Sequence, residues 1–307
     1  MIKGGEDDTF LLVEKALART KMDKITATNY NYPVVPALYV IATPIGNLED
    51  ISLRALRLLQ EVKLIAAEDT RTTRQLLNAY NIKTPLTSYH EHNKWSKLDY
   101  LLRFLEKQDV ALVSEAGMPG LSDPGYEFIV AAIAHGIPVV PIPGASAAVT
   151  ALIVSGLPTD QFIYLGFLPR RQGQRKRFLS SIANESRTIV AFEAPHRLQK
   201  ALKDIEETLG DRRVTVCREL SKAHEEIFRG RVSRAGEHFT EPRGEFTLVV
   251  EGKAEEENEV TEEMERKLQE LYQRGLKAKE AISQISGTRT LSRKKLYQTW
   301  LSLKKGG

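Results

Sequence analysis

The residues best suited to hold a ligand lie in one loop, residues 113–125, which reads VSEAGMPGLSDPG. The loop contains three glycines and two prolines, and its carboxylates are Glu115 and Asp123. Glycine lets the backbone approach a ligand closely and take a positive φ, whereas proline fixes φ and removes an amide donor. An ordinary strand-to-helix connection is the alternative, but it needs fewer such constraints. The composition therefore predicts a ligand-binding loop.

This loop follows an apolar strand pattern at 109–114 and precedes a helical pattern at 126–135. It therefore lies at the carboxyl end of a strand, which is where open α/β sheets bind ligands. A second apolar run, 64–67, ends in the charged residues Glu68, Asp69 and Arg71. The same reasoning places these charges at the carboxyl end of another strand.

The first half of the chain alternates strand and helix patterns. The predicted strands are 38–42, 64–67, 109–114 and 138–142, and the predicted helices are 52–62, 72–80, 97–108, 126–135 and an alanine-rich helix that ends at 156. Such alternation is typical of a parallel sheet with helices on both faces.

The pattern restarts near residue 159 and then changes character. Strands at 162–167, 188–192 and 213–217 alternate with helices at 176–183 and 196–209, and the last strands, 226–232 and 244–250, are predicted to be antiparallel. A charged linker and three helical segments at 262–273, 278–285 and 292–302 follow. The predicted fold class is α/β, with a parallel first sheet, a mixed second sheet and a small helical module; the predicted limits are 1–36 (extension), 37–158, 159–252 and 253–307.

Composition narrows the class of protein. The chain has 307 residues, of which 42% are hydrophobic, so two domains with real cores are expected. Its one cysteine, Cys217, excludes an intramolecular disulfide and favours a reducing cytoplasm. Neither a metal site nor a signal peptide or membrane span is predicted. The net charge of +4 permits an anionic partner.

Basic residues are concentrated in two places. The first cluster surrounds Gly173 and comprises Arg170, Arg171, Arg175, Lys176 and Arg177; the second, near the C-terminus, includes Arg293, Lys294 and Lys295. Such clusters suit contacts with a nucleic-acid backbone. A solvated charged surface is the alternative.

Nine ordered motifs resemble one family. They are TPIGNL (43–48), AEDTR (67–71), YHEHN (89–93), the 113–125 loop, PIPGASA (141–147), GFLPR (166–170), FEAPHRL (192–198), CREL (217–220) and GEFTLVVEG (244–252). Together they resemble the ribosomal RNA small-subunit methyltransferase I family of the tetrapyrrole methylase superfamily. The resemblance covers residues 37–252 and continues more weakly into the C-terminal module.

The resemblance implies a specific reaction. S-adenosylmethionine (SAM) is the methyl donor, and the acceptor is the 2′-hydroxyl of a decoding-centre cytidine in 16S rRNA, so the partner is the small ribosomal subunit. Two α/β domains with the cofactor between them, and a homodimer, are also implied. The chain has Ser114-Glu-Ala-Gly-Met-Pro where tetrapyrrole methylases usually carry a Gly-Asp-Pro element, which disfavours a porphyrin substrate. A Gly-x-Gly-x-x-Gly fingerprint after the first strand is absent.

The same resemblance assigns the candidate cofactor site. The cofactor is expected against Pro44, Glu115, Ala116, Gly117, Met118, Asp123, Ser146, Ala147, Ala194, Phe246 and Thr247. A ribose hydroxyl is a poor nucleophile, so a nearby base or cation would help. The candidates for that role are Glu68, Asp69, Arg71, His90, Glu91 and His92, each of which can instead belong to a structural ion pair.

Two other functions stay open. One is methylation of a small tetrapyrrole, for which an absorbing product would be diagnostic. The other is a non-catalytic ribosome-binding relative, which would fail to bind SAM.

Overall fold

The computed structural model describes residues 35–254, 262–286 and 293–305. Contacts divide the chain into two compact units, Met1–Ser146 and Ala147–Gly307. The predicted boundary after residue 158 differs from this division by one helix, Ala147–Ser155, which packs on the second sheet. Nearly all of the predicted extension, residues 1–34, lies outside the described residues.

The first unit contains a five-stranded sheet whose strands are all parallel. In chain order they are β1 (Leu38–Ile41), β2 (Leu64–Ala67), β3 (Leu86–Ser88), β4 (Val110–Val113) and β5 (Val139–Ile142), and their spatial order is β3-β2-β4-β1-β5. The helices are α1 (Leu53–Glu61), α2 (Thr70–Ala79), α3 (Lys94–Leu105) and α4 (Tyr126–Ala134). The sequence predicted this parallel sheet correctly.

The sequence explains most of these elements locally. Strands β1, β2 and β4 are apolar and completely buried, as expected for a parallel sheet covered on both faces. Ser52 caps α1 by accepting a hydrogen bond from the amide of Ala55 (3.1 Å), and Asp69 caps α2 through the amides of Arg71 and Thr72. Strand β3 was not predicted, because it has only three residues and all are half-buried.

The second unit contains a mixed five-stranded sheet in the order β6-β7-β10-β8-β9. Its strands are β6 (Phe162–Phe167), β7 (Thr188–Glu193), β8 (Arg213–Arg218), β9 (Glu226–Arg231) and β10 (Phe246–Val250). Only the β6–β7 pair is parallel, and the other pairs are antiparallel. This arrangement confirms the predicted mixed sheet.

Helices cover the second sheet and form a separate cluster near the C-terminus. They are α5 (Ala147–Ser155), α6 (Gln172–Ser181), α7 (Leu198–Leu209), α8 (Val232–His238), α9 (Glu262–Gln273), α10 (Ala278–Ser286) and α11 (Arg293–Lys305). The last three pack around Leu268, Ile282 and Trp300, as predicted for a small helical module. Helix α8 was not predicted; it follows β9 directly, without a separating loop. None of the helices in the described ranges has the length and apolar character needed to span a bilayer.

Candidate functional site

The loops that follow β1 and β4 are joined at the carboxyl edge of the first sheet. Thr43 and Gly117 exchange two backbone hydrogen bonds, of 2.9 and 3.1 Å. The Thr43 hydroxyl also donates to the carbonyl of Ser114 (3.3 Å). Gly117 has a φ of +86°, which favours glycine. The 113–125 loop is thus tied to the loop after β1, which carries Pro44.

Glu68 lies at the centre of the charges on this edge. Its Oε2 accepts a hydrogen bond from the amide of Glu115 (3.1 Å), so the strand ends of β2 and β4 meet there. Burial raises the pKa of Glu68 above its ordinary value of 4.5, and the carboxylates of Glu115 and Asp69 raise it further, whereas the Glu115 amide and His90 act in the opposite direction. A half-buried carboxyl with a raised pKa is the kind of group that serves as a base.

Asp69 and Arg71 are arranged differently from Glu68. The Asp69 carboxylate accepts hydrogen bonds from the backbone amide of Arg71 (2.7 Å) and from its guanidinium group (3.3 Å). These hydrogen bonds lower the pKa of the Asp69 carboxyl. The Arg71 side chain is 90% exposed. Asp69 therefore acts as a helix cap, while Arg71 is accessible to an anionic ligand.

His90 is held by an unpredicted residue, Asn93. The Asn93 side-chain oxygen accepts from the His90 amide (2.8 Å), and its nitrogen donates to the Ser88 hydroxyl (2.9 Å). The Nδ1 atom of His90 is buried, and in the part of the chain that the structure describes it has no hydrogen-bond partner. The sequence gives no local signal for this contact, because the usual asparagine turn bonds the side chain to backbone two residues further along the chain, not three residues before it.

Glu91 belongs to a structural ion pair. The Lys94 Nζ lies 2.8 Å from Glu91 and 2.5 Å from Glu127, so the ammonium group joins the first turns of α3 and α4. The nearby His92 is exposed, and its ring packs edge-on against His90 at 6.0 Å between centroids. This environment makes Glu91 a weaker candidate base than Glu68.

In the second unit, three of the predicted cofactor residues lie at one end of the sheet. Phe246 pairs with Glu193 and Thr247 with Phe192, and Ala194 follows directly after β7. The buried Glu193 accepts from the amide of Ala194 (2.7 Å). Burial raises the pKa of Glu193, against the opposing effects of the Ala194 amide and the Arg197 guanidinium. Sequence reasoning missed this supporting role of Glu193.

The predicted RNA-binding residues divide into exposed and buried groups. Arg170, Arg171 and Arg177 are exposed, and Lys176 is partly exposed and paired with Glu207 (2.5 Å). Arg175 is only 1% exposed and pairs with Asp204, so the prediction that its side chain contacts RNA is wrong. Arg175 occupies the inward face of α6, which the sequence pattern did not reveal. Arg293, Lys294 and Lys295 begin α11.

Comparison with known proteins identifies the family. The family model for tetrapyrrole (corrin/porphyrin) methylases matches residues 37–236. A protein of Halalkalibacterium halodurans named ribosomal RNA small subunit methyltransferase I is 48% identical over 86% of this chain and 94% of its own length. A Synechocystis protein with the same name is 46% identical over 88% of this chain and 99% of its own.

The chain belongs to the ribosomal RNA small subunit methyltransferase I family.

The fold agrees with this membership of the tetrapyrrole methylases. The crystal structure of a Thermus thermophilus uroporphyrin-III C-methyltransferase complexed with S-adenosylhomocysteine has a TM-score of 0.52 with this chain and 21% identity. The match covers 71% of this chain and 97% of that one. The predicted tetrapyrrole-methylase fold is therefore confirmed.

The residues at the first sheet's edge fit a methylase cofactor chemically. Exposed carboxylates such as Glu115 can bind ribose hydroxyls or an ammonium group, and loop amides can bind a carboxylate. A Cβ built on Gly117 would meet no heavy atom closer than 3.6 Å apart from its chain neighbours. The buried Nδ1 of His90, which no group of the described residues bonds, is a polar atom left for a ligand to satisfy. Among the described residues, no group of three or more His, Cys, Asp or Glu side chains is arranged to hold a metal ion.

Proposed function

We propose that this methyltransferase transfers a methyl group from SAM to the ribose 2′-hydroxyl of a decoding-centre cytidine in 16S rRNA. The observation that carries the proposal is the identity of 48% and 46%, over most of the chain, with two proteins named ribosomal RNA small subunit methyltransferase I. The chemistry of the first sheet's edge supports it independently, because a candidate base, Glu68, and an exposed cation, Arg71, both follow strand β2 there.

The bound cofactor would supply an electrophilic methyl group on a sulfonium, which the ribose oxygen displaces in line. The chain's own task is then to align that oxygen and to remove one proton. Pro44, Glu115, Ala116, Gly117, Met118, Asp123 and Ser146 are the first unit's proposed cofactor contacts. Ala147, Ala194, Phe246 and Thr247 are proposed contacts from the second unit.

Glu68 is the proposed base. Its carboxylate would accept the 2′-hydroxyl proton, and its raised pKa brings it closer to the operating pH than an exposed glutamate. The Arg71 side chain is 90% exposed and would bind the phosphate next to the target ribose. His90 is a further proposed contact of the target nucleotide. Asp69 would act by fixing Arg71 at the start of α2.

The exposed arginines of the second unit are the proposed contacts for the rRNA backbone. Arg170, Arg171 and Arg177 are exposed residues of the 170–177 run, in which Lys176 is partly exposed and Arg175 is buried. Each phosphate that such a cation neutralises releases counterions, so subunit binding should weaken steeply with salt. Arg293, Lys294 and Lys295 are proposed as a second basic contact.

We also propose a cytoplasmic homodimer. Helix α4 exposes Tyr126, Val130 and Ile133, which share one helix face at i, i+4 and i+7 spacing. An exposed apolar stripe of this kind is typical of a surface that another protein covers. Light scattering after gel filtration tests the mass, and a monomer across the micromolar range would contradict the dimer.

The deciding experiment is transfer of labelled methyl from SAM to unmethylated small ribosomal subunits, followed by nucleoside mass spectrometry. Labelled 2′-O-methylcytidine is the expected product. Label on a base, or on another nucleoside, would contradict the proposed acceptor. Measurable SAM binding without any label on subunits would favour a small-molecule methylase, and absence of SAM binding would favour a non-catalytic relative.

A further inference from the structure

Three consecutive carbonyl groups after β6 accept hydrogen bonds from two largely buried arginines. Arg197 Nη1 donates to the carbonyl of Leu168 (3.3 Å). Arg175 Nη1 donates to the carbonyls of Pro169 (3.2 Å) and Arg170 (3.3 Å). These carbonyls belong to the irregular segment between β6 and α6. Its backbone is otherwise bonded to neighbouring elements at its two ends, where the Leu168 amide donates to Phe192 of β7 (3.4 Å) and the Arg171 carbonyl accepts from the Arg175 amide of α6 (2.9 Å).

Each arginine is itself held by a carboxylate that is completely buried. Asp204, on α7, accepts from Arg175 Nε at 2.8 Å and lies 2.5 Å from its Nη2. Glu193, at the end of β7, lies 2.6 Å from Arg197 Nη2. The guanidinium groups therefore connect the segment to two rigid elements of the second unit. We call residues 168–171, with Arg170 and Arg171 exposed, the clamped segment.

Stability alone does not account for this arrangement. Removing two ion pairs from water costs several kcal/mol per ion, and apolar side chains of similar volume would stabilise a core as well or better. The arginines provide a fixed backbone geometry instead. A segment that is already ordered loses less conformational entropy when its exposed side chains bind a partner.

We propose that Arg175 and Arg197 are positioning residues for rRNA. They fix the backbone of the clamped segment before the RNA binds. The exposed side chains of Arg170 and Arg171 can then bind neighbouring phosphates without first ordering that backbone. This inference rests on the proposed rRNA substrate. It assigns binding to the exposed pair of arginines and geometry to the buried pair, although all four residues carry the same functional group.

The guanidinium group is essential to this role. Its donors form a planar fork, so Arg175 binds Asp204 and two carbonyls at once, whereas the single ammonium of a lysine cannot reach all three. The variant Arg175→Lys keeps the charge beside Asp204 and removes the clamp. It therefore separates positioning from charge.

The test is a double-mutant cycle on binding to unmethylated small subunits, read by filter binding across a salt series. Arg175→Lys should weaken subunit binding about tenfold and raise KM for subunits, with kcat and SAM affinity within about twofold of wild type. In a chain that carries Arg170→Gln and Arg171→Gln, adding Arg175→Lys should change subunit binding less than about twofold, because the clamp then holds no phosphate ligands. Arg234→Lys, at an exposed arginine paired with Glu237, is the matched control and should bind normally.

Fully additive losses would overturn the inference, because they would show that Arg175 does not act through Arg170 and Arg171. Unchanged binding by Arg175→Lys would overturn it as well. If Arg175→Lys does not fold, Arg197→Lys decides the question by the same cycle, since Arg197 holds Leu168. Failure of the wild-type enzyme to bind or methylate subunits would refute the proposed function itself, which is a different outcome from additivity in an active enzyme.

Discussion

The edge of the first sheet and the clamped segment of the second unit use similar charged residues in opposite environments. At the first sheet's edge, Glu68 is half-buried and Arg71 is exposed. In the second unit, Arg175 and Asp204 are 1% and 0% exposed and pair at 2.5 Å. The first arrangement leaves polar groups available to a ligand, whereas the second satisfies them within the protein.

This difference shows that the position of a charge in a motif does not determine its role. Both regions follow a strand and precede a helix, and both are rich in charge. In the first unit the helix begins with a capping aspartate that leaves Arg71 outside. In the second unit, α6 packs against α7, and the inward face of α6 carries Arg175 toward Asp204. Four predictions test this contrast.

The largest expected effect follows substitution of the proposed base. In the Glu68→Gln variant, the side-chain oxygen can still accept a hydrogen bond from the Glu115 amide, so the local fold should survive. The variant side chain can no longer accept the substrate's proton. We expect methyl transfer to slow by about 100- to 10,000-fold, with SAM affinity nearly unchanged. Single-turnover transfer and calorimetric SAM binding measure the two quantities. Glu106→Gln, at an exposed glutamate of the same unit, is the control; a Glu68→Gln enzyme with normal turnover would remove Glu68 from the site.

Disrupting the buried ion pair should mainly affect folding. Asp204→Ala leaves the Arg175 guanidinium buried without its partner, so we expect the free energy of unfolding to fall by about 3–5 kcal/mol. The exposed Arg234–Glu237 pair provides the contrast, and Glu237→Ala should change the free energy of unfolding by less than about 1 kcal/mol. Urea denaturation of both variants tests this difference, and equal losses would contradict it.

Glycine substitutions compare a crowded turn with an open one. Gly125 has a φ of +142°, and a Cβ there would lie 3.0 Å from Leu112 Cδ2 and 3.2 Å from the Gly120 amide nitrogen. Gly156 has a φ of +74° with no heavy atom within 4 Å of a built Cβ. Gly156→Ala should therefore cost about 1–2 kcal/mol from backbone conformation alone, and Gly125→Ala should cost more. Thermal unfolding ranks the two variants, and the opposite order would show that the 113–125 loop adjusts freely.

The smallest expected effect concerns the pH dependence of methyl transfer. Glu68 must be ionised to accept a proton, so kcat/KM should fall as the pH falls through its pKa, which burial raises above 4.5. The effect on the stability of the fold has the opposite sign. A carboxyl whose pKa is raised by folding stabilises the folded state most at a pH below its pKa in the unfolded state. That contribution is lost as the pH rises through the pKa in the folded state. The measurement is kcat/KM as a function of pH for the wild type and for Glu68→Gln. The fall in kcat/KM at acidic pH should be absent from the residual activity of the variant.

Much of the fold was predictable because its signals are local. The buried strands β1, β2 and β4 are apolar throughout, and Ser52 and Asp69 are ordinary helix caps. Strand β3 escaped prediction because three half-buried residues give no clear pattern. Helix α8 escaped because it continues directly from β9.

The site was partly predictable for a similar reason. Parallel strands end at the same edge, so the residues after them had to gather there, and the bond between Glu68 and the Glu115 amide illustrates this. The sequence did not indicate that Asn93 orders His90 or that Glu91 pairs with Lys94 and Glu127. Those contacts depend on turn geometry and on the packing of α3 against α4.

The sequence by itself determined the family, the alternation of strands and helices, and the loops that carry the candidate chemistry. Only the tertiary structure decided which charges are available and which are buried. Arg170 and Arg175 are the same residue type in the same basic run, yet one faces solvent and the other is enclosed between α6 and α7. The reason is that burial and ion pairing depend on residues far along the chain, such as Asp204, whose proximity no local pattern specifies.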